Sequence, residues 1–402
     1  MAKGRKNASQ TAKITEIVEP TPSKAKGGKD ASPSAVPFIV LGALSIAFGL
    51  AIHLTAVWNS PERSVSQLLE LSTRQIKSRI NVAHDWPDAA TSAFLEAHAQ
   101  TLFRAFLIAI AVFKDLLRDD TGKALFLIIT AVGAPMFNFA AVESIKHGRH
   151  PLLHITTYAV AATLGQVMCI GAATPLFYLP AYAYVRWSES KKPLSVHPLP
   201  SSSFANVFLA QLVGAATVAT IIGTVFLPVE SREWLLVNIA FQFFPLFLIP
   251  LAFASSRVKA AIDENGDVSK PRLATSESYR MMGYICLGLY YAGLYYGFQG
   301  FRRAYAARTF NNDAQWTIFW DLIGLLGSLY LFVLIDSFAD EAAIKRGAQR
   351  VHARRFLPED ILMGLPGALL LSPGWAAATY WQRREVLAEK ARLGVVPIDK
   401  DD

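Results

Sequence analysis

Windows of about twenty apolar residues recur along this chain, and no other feature restricts its fold as strongly. A backbone in hydrocarbon must satisfy its own hydrogen bonds, so such windows read as helices and the chain as an all-α, polytopic transmembrane bundle. Nine candidate spans can be marked: Val36–Trp58, Gln100–Leu117, Ala124–Val142, Leu153–Val185, Phe204–Leu227, Trp234–Phe253, Tyr279–Gln299, Gln315–Ile335 and Pro358–Tyr380. Leu153–Val185 is long and holds Pro175 and Pro180, and Gln100–Leu117 is short because Arg104 and Lys114 bound it, so eight spans is the alternative.

Loop charge separates the two counts. With nine spans and a cytosolic N-terminus, "RWSESKK", "SSRVKAAIDENGDVSKPR" and "KRGAQRVHARR" all fall inside, whereas deleting the second span moves all three outside. Nine is therefore preferred, or at least a membrane-embedded hairpin at the second position. The net charge of +8 is scattered over loops and a basic tail, which argues against nucleic acid as a partner. Residues 1–35 read as a disordered basic cytosolic tail, 36–381 as the transmembrane domain and 382–402 as a polar C-terminal tail. Cys169 and Cys286 both fall inside spans and imply neither a disulfide framework nor a metal site.

An ionisable group in hydrocarbon costs about 2.5–3.5 kcal/mol on insertion scales, so it is normally turned inward and functional. Asp321 meets that description. Its helical stripe runs through Thr317, Gly324 and Ser328, a seam of small residues that should pack closely on protein. It reads either as a hydrogen-bonded packing lock or as a buried proton donor. Asp336, about 22 Å further along the helix, reads as an interfacial cap at the opposite surface. Asp313 reads as the helix cap or as an acid at a pocket mouth.

The preceding span places Tyr284, Tyr291 and Tyr295 on one stripe expected to face Asp321, and aromatic faces stabilise cations, by about 2 kcal/mol or more when desolvated. Trp316 and Trp320 flank the acid, and Asn138 lies near the end of the third span. Glu143 is an acid at the membrane boundary, tuned by His147 or satisfied by Lys146 or Arg149. His147, His150 and His154 have ligand-like spacing but stand alone, so no metal is expected. P-loop, dinucleotide, nucleophile-elbow and HExxH motifs are missing, and "RDDTGK" lacks the third acid of a magnesium diphosphate site.

The Lys/Ser/Pro-rich tail, the eight or nine spans, "MFNFAAVES", "GAATPLFYLPAYAY" and "NNDAQWTIFWDLIG" resemble the integral-membrane terpene cyclases of fungal meroterpenoid pathways, the ascofuranone and macrophorin cyclase type. The resemblance covers most of the chain after Val36. It implies cyclisation of a farnesyl-type, commonly epoxidised side chain without metal, diphosphate or other cofactor. It also implies an endoplasmic-reticulum location and a lipophilic prenylated substrate, with other membrane enzymes of the pathway as candidate partners. Local chemistry would then make Asp321 the acid, with Glu143 and Asp313 for re-protonation or the final base. A proton-coupled transporter, or another membrane lipid isomerase, is the competing reading.

Overall fold

The computed structural model describes residues 34–61, 67–68, 70–80, 89–145, 150–191, 204–256, 269–344 and 371–392. Among these the chain is helical, with no strand. The helices are α1 (Val36–His53), α2 (Thr73–Ile80), α3 (Ala89–Leu116), α4 (Asp120–Ser144), α5 (Ile155–Met168), α6 (Ile170–Ala173) and α7 (Leu179–Ser190). They continue as α8 (Phe204–Phe226), α9 (Arg232–Gln242), α10 (Ile249–Ser256), α11 (Ser269–Ala307), α12 (Asp313–Ile344) and α13 (Pro373–Arg392). The tail before residue 34 lies outside the described residues. At the other end α13 is helical to Arg392.

Helix α4 is the axis. Its apolar residues face neighbours all round and nearly all are buried, as a helix hydrophobic on every face requires. Gln315 of α12 donates to Asp119, the cap of α4, and Phe139 packs on Phe332, so α4 and α12 run parallel. α11 runs the other way, with Ser278 bonded to Asn138 at one end and Gly300 against Thr121 at the other. α1 is antiparallel to α12, because Trp316 and Thr317 donate to the carbonyls of Thr55 and Ala56. The bundle thus has an N side, where α1 begins, and a far side, where α4 and α12 begin.

Among the described residues four helices are long and apolar enough to cross a membrane: Val36–Trp58, Asp120–Ser144, Asn206–Phe226 and Asp313–Ala339. A bent pair, Arg232–Gln242 with Phe244–Ser255 at 54°, makes a fifth if taken as one span. The expected eight or nine is not supported, and each loss has a cause. Segment 59–119 begins and ends on the far side, where Lys114 donates to the Ile80 carbonyl (2.7 Å) and Arg79 pairs with Asp115 (3.1 Å), so it adds no crossing. In α11, the five tyrosines between 281 and 298 dilute the apolar content. Much of Pro358–Tyr380 falls outside the described residues.

The long window Leu153–Val185 is not a span. Tyr158 packs on Tyr178 (5.4 Å between rings), His150 on Tyr184 (5.8 Å), and Gly165 lies against Ile170, an antiparallel pairing centred near Met168. This is a helical hairpin that enters from the N side and returns to it. The 14 residues of α5 rise roughly 21 Å, short of a hydrocarbon core of about 30 Å. A cysteine placed at Pro151 and one at Lys191 should therefore both be labelled by an impermeant maleimide from the same side of sealed vesicles. A single span would put them on opposite sides.

Candidate functional site

The turn of the hairpin sets a problem of unpaired backbone. Between α5 and α6 Cys169 takes φ 75° and ψ 134°, a conformation that L-residues rarely adopt and that leaves the last carbonyls of α5 and the first amides of α6 without helical partners. Two side chains from other helices supply them. Asp321 Oδ1 accepts the Gly171 N–H. His53 Nδ1 bonds the Met168 carbonyl (3.2 Å), and Trp58 Nε1 donates to His53 Nε2 (3.4 Å), which fixes the proton on Nδ1.

Asp321 can reach the turn because the small seam lets backbones approach. Gly171 and Gly324 face each other so closely that a side chain on either would run into the opposing main chain. Thr317 and Ser328 complete the seam, bonded to the Ala56 and Gly324 carbonyls. The π-helical turn Leu54–Trp58 at the end of α1 offers the carbonyls that Trp316 and Thr317 use. Asp321, His53 and the free thiol of Cys169 therefore meet at one tip inside the bundle. Among the described residues Asp321 is buried and has no ion-pair partner.

Asp336 is the opposite case and corrects the expectation of an interfacial cap. It is fully buried at 0% exposure. Two Tyr-x-x-x-Arg pairs converge on it, one from α7 and one from α13. Tyr182 and Arg186 donate to Oδ1 at 2.5 and 2.8 Å, while Tyr380 donates to Oδ2 at 3.0 Å and Arg384 pairs with the same oxygen. Arg186 also pairs with Glu189 at 3.0 Å. Phe332, one turn before Asp336, packs on Phe139, Tyr178, Tyr182 and Trp381, so the charged knot sits on an aromatic floor. With two cations and two phenols around one carboxylate, this cluster is an anchor, not an acid.

The remaining expected residues disperse. Tyr284, Tyr291 and Tyr295 are 62%, 46% and 82% exposed and point out of the bundle. They do not face Asp321, because α11 packs on α4, α8 and α13 whereas the seam of α12 packs on α1 and the hairpin. Asn312, not Asp313, caps α12, its side chain accepting from Gln315 N (2.9 Å), and Asp313 is buried in the first turn. Trp316 and Trp320 pack edge to face on each other (5.8 Å), half-buried. Asn138 joins a separate polar knot, accepting from Gln211 (3.0 Å) and Ser278 (3.1 Å). Glu143 is buried at the N side, and His147 lies outside the described residues.

His150 and His154 cap helices, accepting from Leu152 N and Thr156 N, and His154 Nε2 also meets Ser255 Oγ at 2.5 Å. Among the described residues no group of three His, Cys, Asp or Glu stands close enough to hold a metal. His53 has its own signal in the sequence, an ionisable residue within the first apolar window. The knot carried another, the repeated Tyr-x-x-x-Arg spacing.

No family model, curated protein or solved structure matches the chain. Its chemistry must be read from its own side chains.

Two substitutions test the geometry. Asp336→Leu removes the buried carboxylate that two guanidinium groups share and should cost about 3–5 kcal/mol, seen as a large fall in melting temperature in detergent. Cys169→Gly removes the strain of a positive φ and should raise stability by about 1 kcal/mol, whereas Cys169→Val should lower it.

Proposed function

We propose that the chain is a membrane-bound terpene cyclase that closes the farnesyl-type, epoxidised side chain of a prenylated molecule by acid-initiated carbocation chemistry. The observation that carries this reading is the contrast between two buried carboxyl groups. Asp336 is held by two cations, while Asp321 lies in the bundle without one, at the hairpin tip that the His53 imidazole also meets. A carboxyl group so placed is suited to hold a proton and give it up.

In this scheme the Asp321 carboxyl donates its proton to the epoxide oxygen as the carbon–oxygen bond breaks, and the alkene electrons close the ring onto the resulting cation. The π faces of Trp316 and Trp320 shelter positive charge. The final proton leaves carbon for a base, and His53 Nε2 carries the lone pair for that role once Trp58 swings away. Glu143 and Asp313 are distant alternatives, near opposite ends of the bundle. The exposed tyrosines of α11 stand apart from the ring-closing step. The substrate, being lipophilic, enters from the bilayer, and the basic segments of the sequence support a cytosolic N side in an endoplasmic-reticulum membrane.

A second reading draws on a specific feature. The hairpin tip at Cys169 and the bent pair at Phe243 are discontinuous helices inside the bundle, and such breaks around an acid are also how proton-coupled transporters are built.

Microsomes carrying the protein should convert a farnesylated phenol epoxide into a cyclic product. Asp321→Asn keeps an oxygen for the Gly171 amide but has no proton to give, so it should reduce turnover at least about a hundredfold while the protein stays folded. Near-normal activity in that variant ends the role of Asp321. No cyclic product together with probe-driven proton uptake into vesicles favours the transporter.

A further inference from the structure

A polar pair that neither the hairpin tip nor the Asp336 knot uses lies on α9. Asn238 and Gln242 stand one turn apart on the same face of this helix, at 0% and 4% exposure. Both the amide nitrogen and the carbonyl oxygen of each are buried without a hydrogen-bond partner. Burying one such atom unpaired costs about 1–3 kcal/mol, so four on one face is far outside what a packed bundle tolerates for no return.

The surroundings define what can satisfy them. Gln242 is the last residue before the 54° bend, where α9 gives way to a 3₁₀ turn. Trp234, one turn before Asn238, is fixed by its indole N–H on the Thr224 carbonyl (2.9 Å). Val237 lies against Gly223, an antiparallel register that brings Thr220 and Thr217 of α8 to the depth of Asn238 and Gln242. The hydroxyls of both threonines already donate to backbone, so they offer only acceptor capacity. Around the bend the walls are phenyl rings, with Phe241 on Phe113 and Phe126 (5.3 Å each) and Phe243 stacked on Phe106 (4.8 Å).

A carboxamide presents one acceptor and two donor hydrogens. An anionic head group would leave both amide oxygens unpaired, and a cationic one both nitrogens. A neutral hydroxyl donates to one amide oxygen and accepts from both nitrogens, so it pairs three of the four atoms where a charged group pairs two. We propose that Asn238 and Gln242 form a binding site for the hydroxylated, uncharged head of a lipophilic molecule, an alcohol or phenol whose apolar tail lies among the phenylalanines. The site stands whether or not Asp321 is a proton donor, because it is read by binding and not by turnover.

The test uses the purified full chain in lipid nanodiscs with three probes: 4-dodecylphenol, its methyl ether, which accepts but cannot donate, and dodecylbenzene, which does neither. Equilibrium binding above that of empty nanodiscs should favour the phenol over dodecylbenzene by about tenfold or more, with the ether between them. In the Asn238→Leu/Gln242→Leu double variant the preference should shrink to less than about twofold, while the unliganded protein melts at a higher temperature because the orphaned atoms are gone. Equal affinity for the three probes in the native chain overturns the proposal, as does undiminished preference in the double variant. If the variant does not fold, the comparison of phenol, ether and hydrocarbon on the native chain decides alone.

Discussion

In hydrocarbon an unpaired backbone amide or carbonyl has no water to turn to, and the rest of this structure is arranged around that obligation at one place. The hairpin α5–α6–α7 turns back inside the bundle, and its exposed main chain is completed by Asp321 from α12 and His53 from α1. Those two contacts fix which helices must neighbour the turn. The glycines at 171 and 324 follow from the same need, since neither carboxyl nor backbone could come close with a side chain between them.

The two buried aspartates of α12 show how surroundings divide one chemical group into two roles. Asp336 is met by arginine and tyrosine from two helices and is committed to holding them. Asp321 is met by an amide, next to a thiol and an imidazole, and keeps its chemistry available. Fifteen residues along the same helix, the only difference is what neighbouring helices bring.

Much of this was legible in the residues. The helical class, the inward placement of Asp321 and its small seam follow from composition and a 3.6-residue period, which local sequence carries. The nine-span count counts as crossings two stretches that return to the side they left, the one after α1 and the hairpin. Apolar length cannot tell one helix that crosses from two that fold back, because both bury the same side chains. The turn at Cys169 gave no glycine or proline signal; a cysteine holds the positive φ that tertiary contacts impose. The direction of the tyrosine stripe of α11 is settled by Gly293, Gly297 and Gly300, where α11 touches α4, a small-residue spacing that outweighs the aromatic stripe.

The knot at Asp336 also bears on the order in which the chain can acquire its form. Arg186 is synthesised 150 residues before the carboxylate it pairs with, and Tyr380 a further 44 after that. Until α12 and α13 emerge, the returning arm of the hairpin carries a guanidinium group, paired with Glu189, without the buried carboxylate it is built to meet. The early hairpin is therefore a provisional element, and the last helix of the bundle is the clasp that makes its burial permanent.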